Sequence, residues 1–160
     1  MIVIACGALG FSVSSACRKE IQLLRQFIFA MDTMESELQF RLSPLAQLSL
    51  CAAQHTTGCL NAVFLRFSKE LENQICPNAE RCMSAVISET QLPETLRTML
   101  LMLSQTLGNF DVEGQAKGII NVRNEANRIL AQKTNNLDVR LRGYQTLGLC
   151  AGVAIAILLI

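Results

Sequence analysis

Apolar side chains recur at intervals of three and four residues through the middle of the chain, which is the spacing of one face of an α-helix. Between residues 18 and 42 this stripe comprises Leu24, Phe27, Ile28, Met31, Met34, Leu38 and Leu42. No segment alternates apolar and polar residues with a period of two, so the pattern predicts no β-sheet. It predicts an all-α domain that opens with a long helix.

Proline, glycine and capping residues divide the following region into shorter helices. Ser43 is a predicted N-cap with Pro44 at the first helical position. The Thr-Thr-Gly segment at 56–58 is predicted to interrupt the helix. The prolines at 77 and 93 are predicted to start two further helices. The side chains predicted to face inward are Leu45, Leu48, Ala52, Leu60, Val63, Phe64, Phe67, Leu71, Cys82, Ala85, Val86, Leu96, Met99, Leu100, Leu103 and Leu107.

A long last helix is predicted to follow Gly108, with Asp111 as its N-cap. Its apolar seam comprises Val112, Gln115, Ile119, Val122, Ala126, Ile129, Lys133 and Leu137. Charged residues interrupt two stripes, Glu35 in the first helix and Lys133 in the last. Because a carboxylate in an apolar stripe needs a partner, an ion pair between Glu35 and Lys133 is one hypothesis. Exposure of Glu35 at the edge of the bundle is the alternative.

The charged residues are confined to the middle of the chain. Residues 1–17 and 143–160 carry no Lys, Arg, Asp or Glu. As a helix, the apolar run at 144–160 would be about 26 Å long, close to the hydrocarbon thickness of about 30 Å. We therefore predict a transmembrane or anchor segment at 1–17, a bundle of about six antiparallel helices at 18–142 and a transmembrane helix at 143–160. The alternative for the last segment is a buried helix of a soluble bundle.

Basic residues flank both apolar ends on the side of the charged domain, and such residues prefer the cytoplasmic side of a membrane. These residues are Arg18, Lys19, Arg140 and Arg142. The distribution predicts that residues 18–142 lie in the cytoplasm. Gly148 and Gly152 form a pair of small residues four apart, which favours close packing of helices in lipid.

Few residues suggest chemistry. The seven cysteines include no CxxC pair, and no nucleotide-binding motif is present. Cys51, His55 and Cys59 are spaced by four residues, so on one helix they could bind zinc for an enzyme; the break at 56–58 argues against this. A net charge of +1 argues against nucleic acid binding. We predict a protein that is not an enzyme, with no catalytic residue, metal or cofactor.

Three stretches of the sequence, in this order, resemble the stage III sporulation protein AB family of endospore-forming bacteria. The first is Arg25 with MESELQF at 34–40 and Pro-Leu at 44–45, the second is LGNFD at 107–111 with Gln115, and the third is RGYQTLG at 142–148 with Gly152. The helix order agrees along nearly the whole chain. The family in turn resembles the cytoplasmic helical domains of type II secretion and type IV pilus inner-membrane platform proteins.

The resemblance implies a platform component of a channel-like complex between mother cell and forespore, located in the outer forespore membrane. The domain at 18–142 would face the mother-cell cytoplasm and dock a secretion-type ATPase, with other membrane components around it. The residues implied in partner binding are Glu35, Glu37, Asp111 and Gln115. Platform proteins usually contain two bundles, so a homo-oligomer of this single bundle is possible. The alternative is a membrane-anchored helical adaptor, assembly factor or chaperone unrelated to secretion.

Overall fold

The chain folds into α-helices joined by short connections. The structure, a computed structural model, describes the backbone of residues 2–73, 78–107 and 111–159 and the side chains of residues 18–73, 78–107 and 111–136. Its helices are α1 (Ile2–Arg41), α2 (Leu45–Gln54), α3 (Gly58–Glu72), α4 (Ala79–Ser88), α5 (Glu94–Thr106) and α6 (Val112–Leu159). The described residues contain no strand, which confirms the predicted all-α class.

The two terminal helices are much longer than the others. Helix α1 has 40 residues and α6 has 48, so the backbone helix passes without a break through the predicted domain boundaries at 17/18 and 142/143. Among the described residues, no helix contains an apolar stretch sufficient to cross a membrane. The side chains of the predicted spans at 1–17 and 143–160, including Gly148 and Gly152, lie outside the described residues.

The chain divides into two compact units. The first comprises Met1–Ile21 with Ile129–Ile160, and the second comprises Gln22–Arg128. The second unit holds all the short helices and the inner parts of α1 and α6. The predicted domain limits of 18–142 differ from the limits of this unit, and they stay a prediction.

The apolar stripes form the core of the second unit. Its largest fully buried side chains are Leu24, Phe27, Met31, Met34, Leu48, Leu60, Phe64, Phe67, Met83, Leu96, Leu100 and Leu103. Three residues predicted to face inward are exposed instead. Leu42 follows the end of α1, Val112 is the first residue of α6, and Ala85 lies beside the apolar face of α4 rather than on it. All three lie at the margin of a helix or of its apolar face, where spacing alone discriminates poorly.

The helix starts are mostly as predicted. Asn78 caps α4 by accepting a hydrogen bond at Oδ1 from the backbone N–H of Arg81, at 2.9 Å. Asp111 caps α6 by accepting one from the N–H of Gly114, at 3.0 Å. The predicted cap at Ser43 is wrong: the N-cap of α2 is Pro44, whose ψ of 152° is extended. The helix therefore begins at Leu45, one residue later than predicted.

Side-chain hydrogen bonds hold α2 against α3 as an antiparallel pair. Ser68 Oγ donates to the carbonyl of Ala46 at 2.9 Å, and Asn61 Nδ2 donates to that of Ala53 at 2.7 Å. Gln26 on α1 reaches the turn between the same two helices. Its Nε2 donates to Thr57 Oγ1 at 3.0 Å, and its Oε1 accepts from the Thr57 N–H at 3.0 Å. The bonds of Gln26 attach the turn between α2 and α3 to α1.

Candidate functional site

A charged cluster joins α1 to α6 within the second unit. Arg123 Nη1 on α6 lies 2.6 Å from Asp32 Oδ1 and 2.7 Å from Glu35 Oε2 on α1. The two carboxylates are three residues apart on α1, so they lie on neighbouring positions of one helical face. One guanidinium therefore bridges two carboxylates, and we call these three residues the Arg123 cluster.

The Arg123 cluster lies at the edge of the core. The exposed fraction of the side chain is 18% for Glu35, 26% for Arg123 and 49% for Asp32. Gln39 Nε2 also donates to Glu35 Oε1 at 3.4 Å. Glu35 is the most desolvated member, whereas Asp32 is half exposed. With two carboxylates and one guanidinium, the cluster carries a net charge of −1 on the protein surface.

The predicted ion pair between Glu35 and Lys133 is wrong. Glu35 does need a partner, but that partner is Arg123, and Lys133 lies ten residues further along α6, or about 15 Å of helix. In the first unit, Lys133 Nζ pairs instead with Glu20 Oε2 at 2.9 Å. Glu35 and Lys133, the two charged residues that interrupt apolar stripes, therefore each form an ion pair between α1 and α6, but not with each other.

The other residues implied in partner binding occupy separate positions. The Glu37 carboxylate lies 3.6 Å from Arg41 Nη1, one turn further along α1. Asp111 is exposed and accepts the capping hydrogen bond at the start of α6, while Gln115 is partly buried and its N–H donates to the Asp111 carbonyl at 2.9 Å.

The sequence analysis missed Asp32 and Arg123. The signal for Asp32 was its spacing of three from Glu35, which places two carboxylates on one face of a helix. For Arg123 the only signal was its place next to Val122 in the apolar seam. Nothing in the sequence shows which residue of α6 lies opposite Glu35, because that depends on how the two helices pack.

The end of α1 carries a strained and exposed apolar residue. Leu42 has a φ of +51°, in the left-handed region that side chains other than glycine rarely adopt. Its exposed fraction is 65%, and that of Phe40 is 85%. Strained backbone is often found at functional sites, so this end of α1 is the second feature of the molecule that could contact a partner.

The possible zinc site at Cys51, His55 and Cys59 does not form. No three His, Cys, Asp or Glu side chains come together in a metal-binding group among the described residues. Helix α2 ends before His55, whose ring instead contacts Phe29 edge-on with centroids 5.4 Å apart. Burial raises the pKa of the Cys51 thiol, the nearby Glu37 carboxylate raises it further and Arg41 lowers it.

The family model of stage III sporulation protein AB matches the chain over residues 1–160. The chain belongs to the stage III sporulation protein AB family. A solved structure of a stage III sporulation protein AB (SpoIIIAB) superposes with a TM-score of 0.64 at 20% identity, over 75% of this chain and 97% of that chain. At this identity the likeness shows a shared fold. No curated protein sequence matches the chain.

Membership of the stage III sporulation protein AB family confirms the resemblance found in the sequence. It places the chain among the sporulation proteins of a sporulating bacterial cell. In this chain the helical bundle carries the Arg123 cluster and the exposed end of α1.

Proposed function

We propose that the protein is a non-enzymatic platform component of a channel-like complex between mother cell and forespore. Its ends at 1–17 and 143–160 would cross the outer forespore membrane, and its helical domain would lie in the mother-cell cytoplasm. There the domain would dock a secretion-type ATPase. The observation that carries this proposal is the continuity of α1 and α6: each leads from the charged bundle into an uncharged end on one helix.

The mechanical consequence of this arrangement supports a platform rather than a catalyst. We propose that displacement passes along each of these helices, because backbone hydrogen bonds join every turn of an unbroken helix to the next. A partner that moved the second unit would act on two such helices at once. The Arg123 cluster bonds these helices to each other directly, at 2.6 and 2.7 Å, so it would help them to move together.

The candidate contacts of the ATPase are the residues that the family resemblance implied, with roles refined by their geometry. Asp111 presents its carboxylate at the surface, whereas the Glu37 carboxylate is partly buried beside Arg41. Glu35 takes part in the structure of the Arg123 cluster, so we propose that its half-exposed neighbour Asp32 makes the outward contact. A basic surface on the ATPase would complement these acids, and opposite charges mainly increase the rate and specificity of association.

Binding of the full chain in detergent to the ATPase of the same sporulation complex tests the proposal. We expect Asp111→Ser to weaken binding about tenfold, or about 1.4 kcal/mol. Serine is also a good N-cap, so this variant removes the charge and keeps the cap. Asp111→Ala removes both, so the difference between the two measures the effect of the cap. Glu72→Gln, at an exposed acid on α3, is the control and should bind normally.

Two results would contradict the docking role. One is that the wild-type full chain does not bind the ATPase. The other is that Asp111→Ser and Asp32→Asn bind as tightly as the wild type. Either result, for a chain that remains in the membrane, would favour the alternative of a membrane-anchored helical adaptor or assembly factor with another partner.

A further inference from the structure

The two compact units of the chain differ in charge. The first unit has five basic and two acidic residues, a net charge of +3, whereas the second has nine basic and eleven acidic residues, a net charge of −2; together they give the +1 of the chain. All seven charges of the first unit lie at residues 18–20 and 133–142, directly beside the uncharged ends. The basic excess of the protein is therefore concentrated next to its most apolar segments.

Arg18 and Lys19 are the first charges after the uncharged segment at 1–17. Both are exposed, and neither has an ion pair or a side-chain hydrogen bond in the described part of the chain. Most of the other basic residues whose side chains are described form ion pairs. These are Arg41, Arg66, Arg97, Lys117, Arg123, Arg128 and Lys133. Two adjacent cations at this position are thus available to an external anion.

The neighbouring carboxylate does not neutralise them. Glu20 pairs with Lys133 on α6 at 2.9 Å, and the exposed fractions of the two side chains are only 19% and 28%. On a helix, Glu20 lies 200° around from Arg18 and 100° from Lys19, since each residue turns by about 100°. The ion pair with Lys133 directs the Glu20 carboxylate towards α6. Arg18 and Lys19 therefore keep a local charge of +2.

We propose that Arg18 and Lys19 form a binding site for the headgroups of anionic phospholipids. This inference rests on the proposed function, in which residues 1–17 enter the membrane and so place the two cations at the level of the headgroups. Basic residues beside a membrane segment attract anionic lipid, and the attraction falls off within about one Debye length of 8–10 Å. The site would hold α1 at a defined depth in the bilayer.

Lipid retention by the full chain tests this site. The chain is reconstituted in nanodiscs of equal parts phosphatidylcholine and phosphatidylglycerol, and native mass spectrometry measures the ratio of the two lipids that stay bound. We expect the wild type to retain mainly phosphatidylglycerol. The double variant Arg18→Gln/Lys19→Gln should lower this preference by roughly tenfold or more, because each basic residue near the surface contributes severalfold.

The control variants separate charge from structure. Arg18→Lys/Lys19→Arg keeps both charges and should keep the preference. Arg25→Gln removes an exposed arginine that has no ion pair with the residues whose side chains are described. It lies seven residues further along α1, about 10.5 Å along the helix. This variant should lower the preference much less than the double variant, because the attraction to headgroups weakens over about one Debye length of 8–10 Å. Equal circular dichroism spectra would show that all variants are folded.

The proposal is overturned if the wild type retains the two lipids in the proportion of the bilayer, or if the double variant keeps the wild-type preference. Membrane insertion has its own readout, the resistance of the chain to carbonate extraction from vesicles of phosphatidylcholine alone. Extraction from these neutral vesicles would refute the membrane location. Resistance to extraction without a preference for phosphatidylglycerol would refute only the headgroup site.

Discussion

At the scale of single residues, Arg123 makes two ion pairs, with Asp32 at 2.6 Å and with Glu35 at 2.7 Å. Its guanidinium is the ion-pair partner of Glu35, which is mostly buried, and of Asp32, which is half exposed. A partly buried carboxylate that loses its only cation keeps the cost of desolvation without the compensating attraction. Arg123 therefore contributes to stability in two ways: through its ion pairs, and by preventing an uncompensated negative charge at Glu35 and Asp32.

We expect Arg123→Gln to lower the free energy of unfolding by about 1–3 kcal/mol, since two neighbouring carboxylates then lack a cation. Thermal and chemical unfolding of the full chain in detergent, followed by circular dichroism, measure this change. The control is Arg128→Gln, about one and a half turns further along α6. Arg128 pairs with Glu125 at 2.6 Å, and this pair lowers the pKa of the Glu125 carboxyl. Because Arg128 is largely exposed, with an exposed fraction of 66%, the loss of this pair should lower the midpoint much less than Arg123→Gln does. Equal effects of both variants would contradict the special role of Arg123.

Leu42 provides a second prediction at this scale. Because its φ of +51° suits glycine and its side chain is exposed, Leu42→Gly should raise the free energy of unfolding by about 0.5–1 kcal/mol. The converse change, Gly58→Ala, should lower it by about 1 kcal/mol, because Gly58 has a φ of +64° with nothing near its absent side chain. The same unfolding measurements apply. A destabilised Leu42→Gly would mean that the leucine makes a contact that outweighs its strain.

At the scale of elements, α5 and α6 approach each other closely at one point. A Cβ atom added to the buried Gly118 of α6 would lie 2.6 Å from Thr106 Cβ on α5. The Thr106 side chain is held by its hydrogen bond to the Leu103 carbonyl at 2.8 Å, and its Cβ is fixed to the backbone. The glycine therefore sets the distance between the two helices.

Gly118→Ala should lower the free energy of unfolding by about 1–3 kcal/mol, because the helices must separate to admit a methyl group. Thr106→Gly removes the opposing Cβ, so the double variant Gly118→Ala/Thr106→Gly should recover part of the loss. A double-mutant cycle of unfolding free energies measures this recovery. If the effects of the two changes simply add, the close contact does not limit the helix spacing.

The interiors of the helices could be predicted better than their ends. Helices α3 and α5 have regular apolar stripes, and all their predicted inward residues are buried, for example Phe64 and Leu100. Errors arose at the ends, where Pro44 replaces Ser43 as N-cap and where Val112 begins α6 in solvent. End positions lack neighbours on one side, so packing rather than periodicity decides their exposure.

At the scale of the whole molecule, the second unit packs side chains from all six helices into one core. Cys82 on α4 is a natural probe of this core, with an exposed fraction of 1%. Burial raises the pKa of its thiol, and Glu70 raises it further. Both the burial and the smaller thiolate fraction slow its alkylation in the folded protein.

We expect alkylation of Cys82 to follow the same denaturant midpoint as the loss of helicity, because a single core of this size unfolds cooperatively. Mass spectrometry of peptides from the full chain measures modification at each denaturant concentration. Cys59, which is half buried on α3, should react at lower denaturant. If Cys82 is modified well before helicity is lost, α4 opens separately from the rest of the bundle.

The sequence alone determined the all-α class, the positions of the helices and the family, because helical periodicity, caps and motifs are local properties. It also showed that Glu35 needs a partner, since the cost of burying a carboxylate is general. Only the tertiary structure decided that the partner is Arg123, that Lys133 pairs with Glu20, and that Gly118 faces Thr106. Each of these contacts depends on the register between helices distant in sequence, and packing of the whole core sets that register.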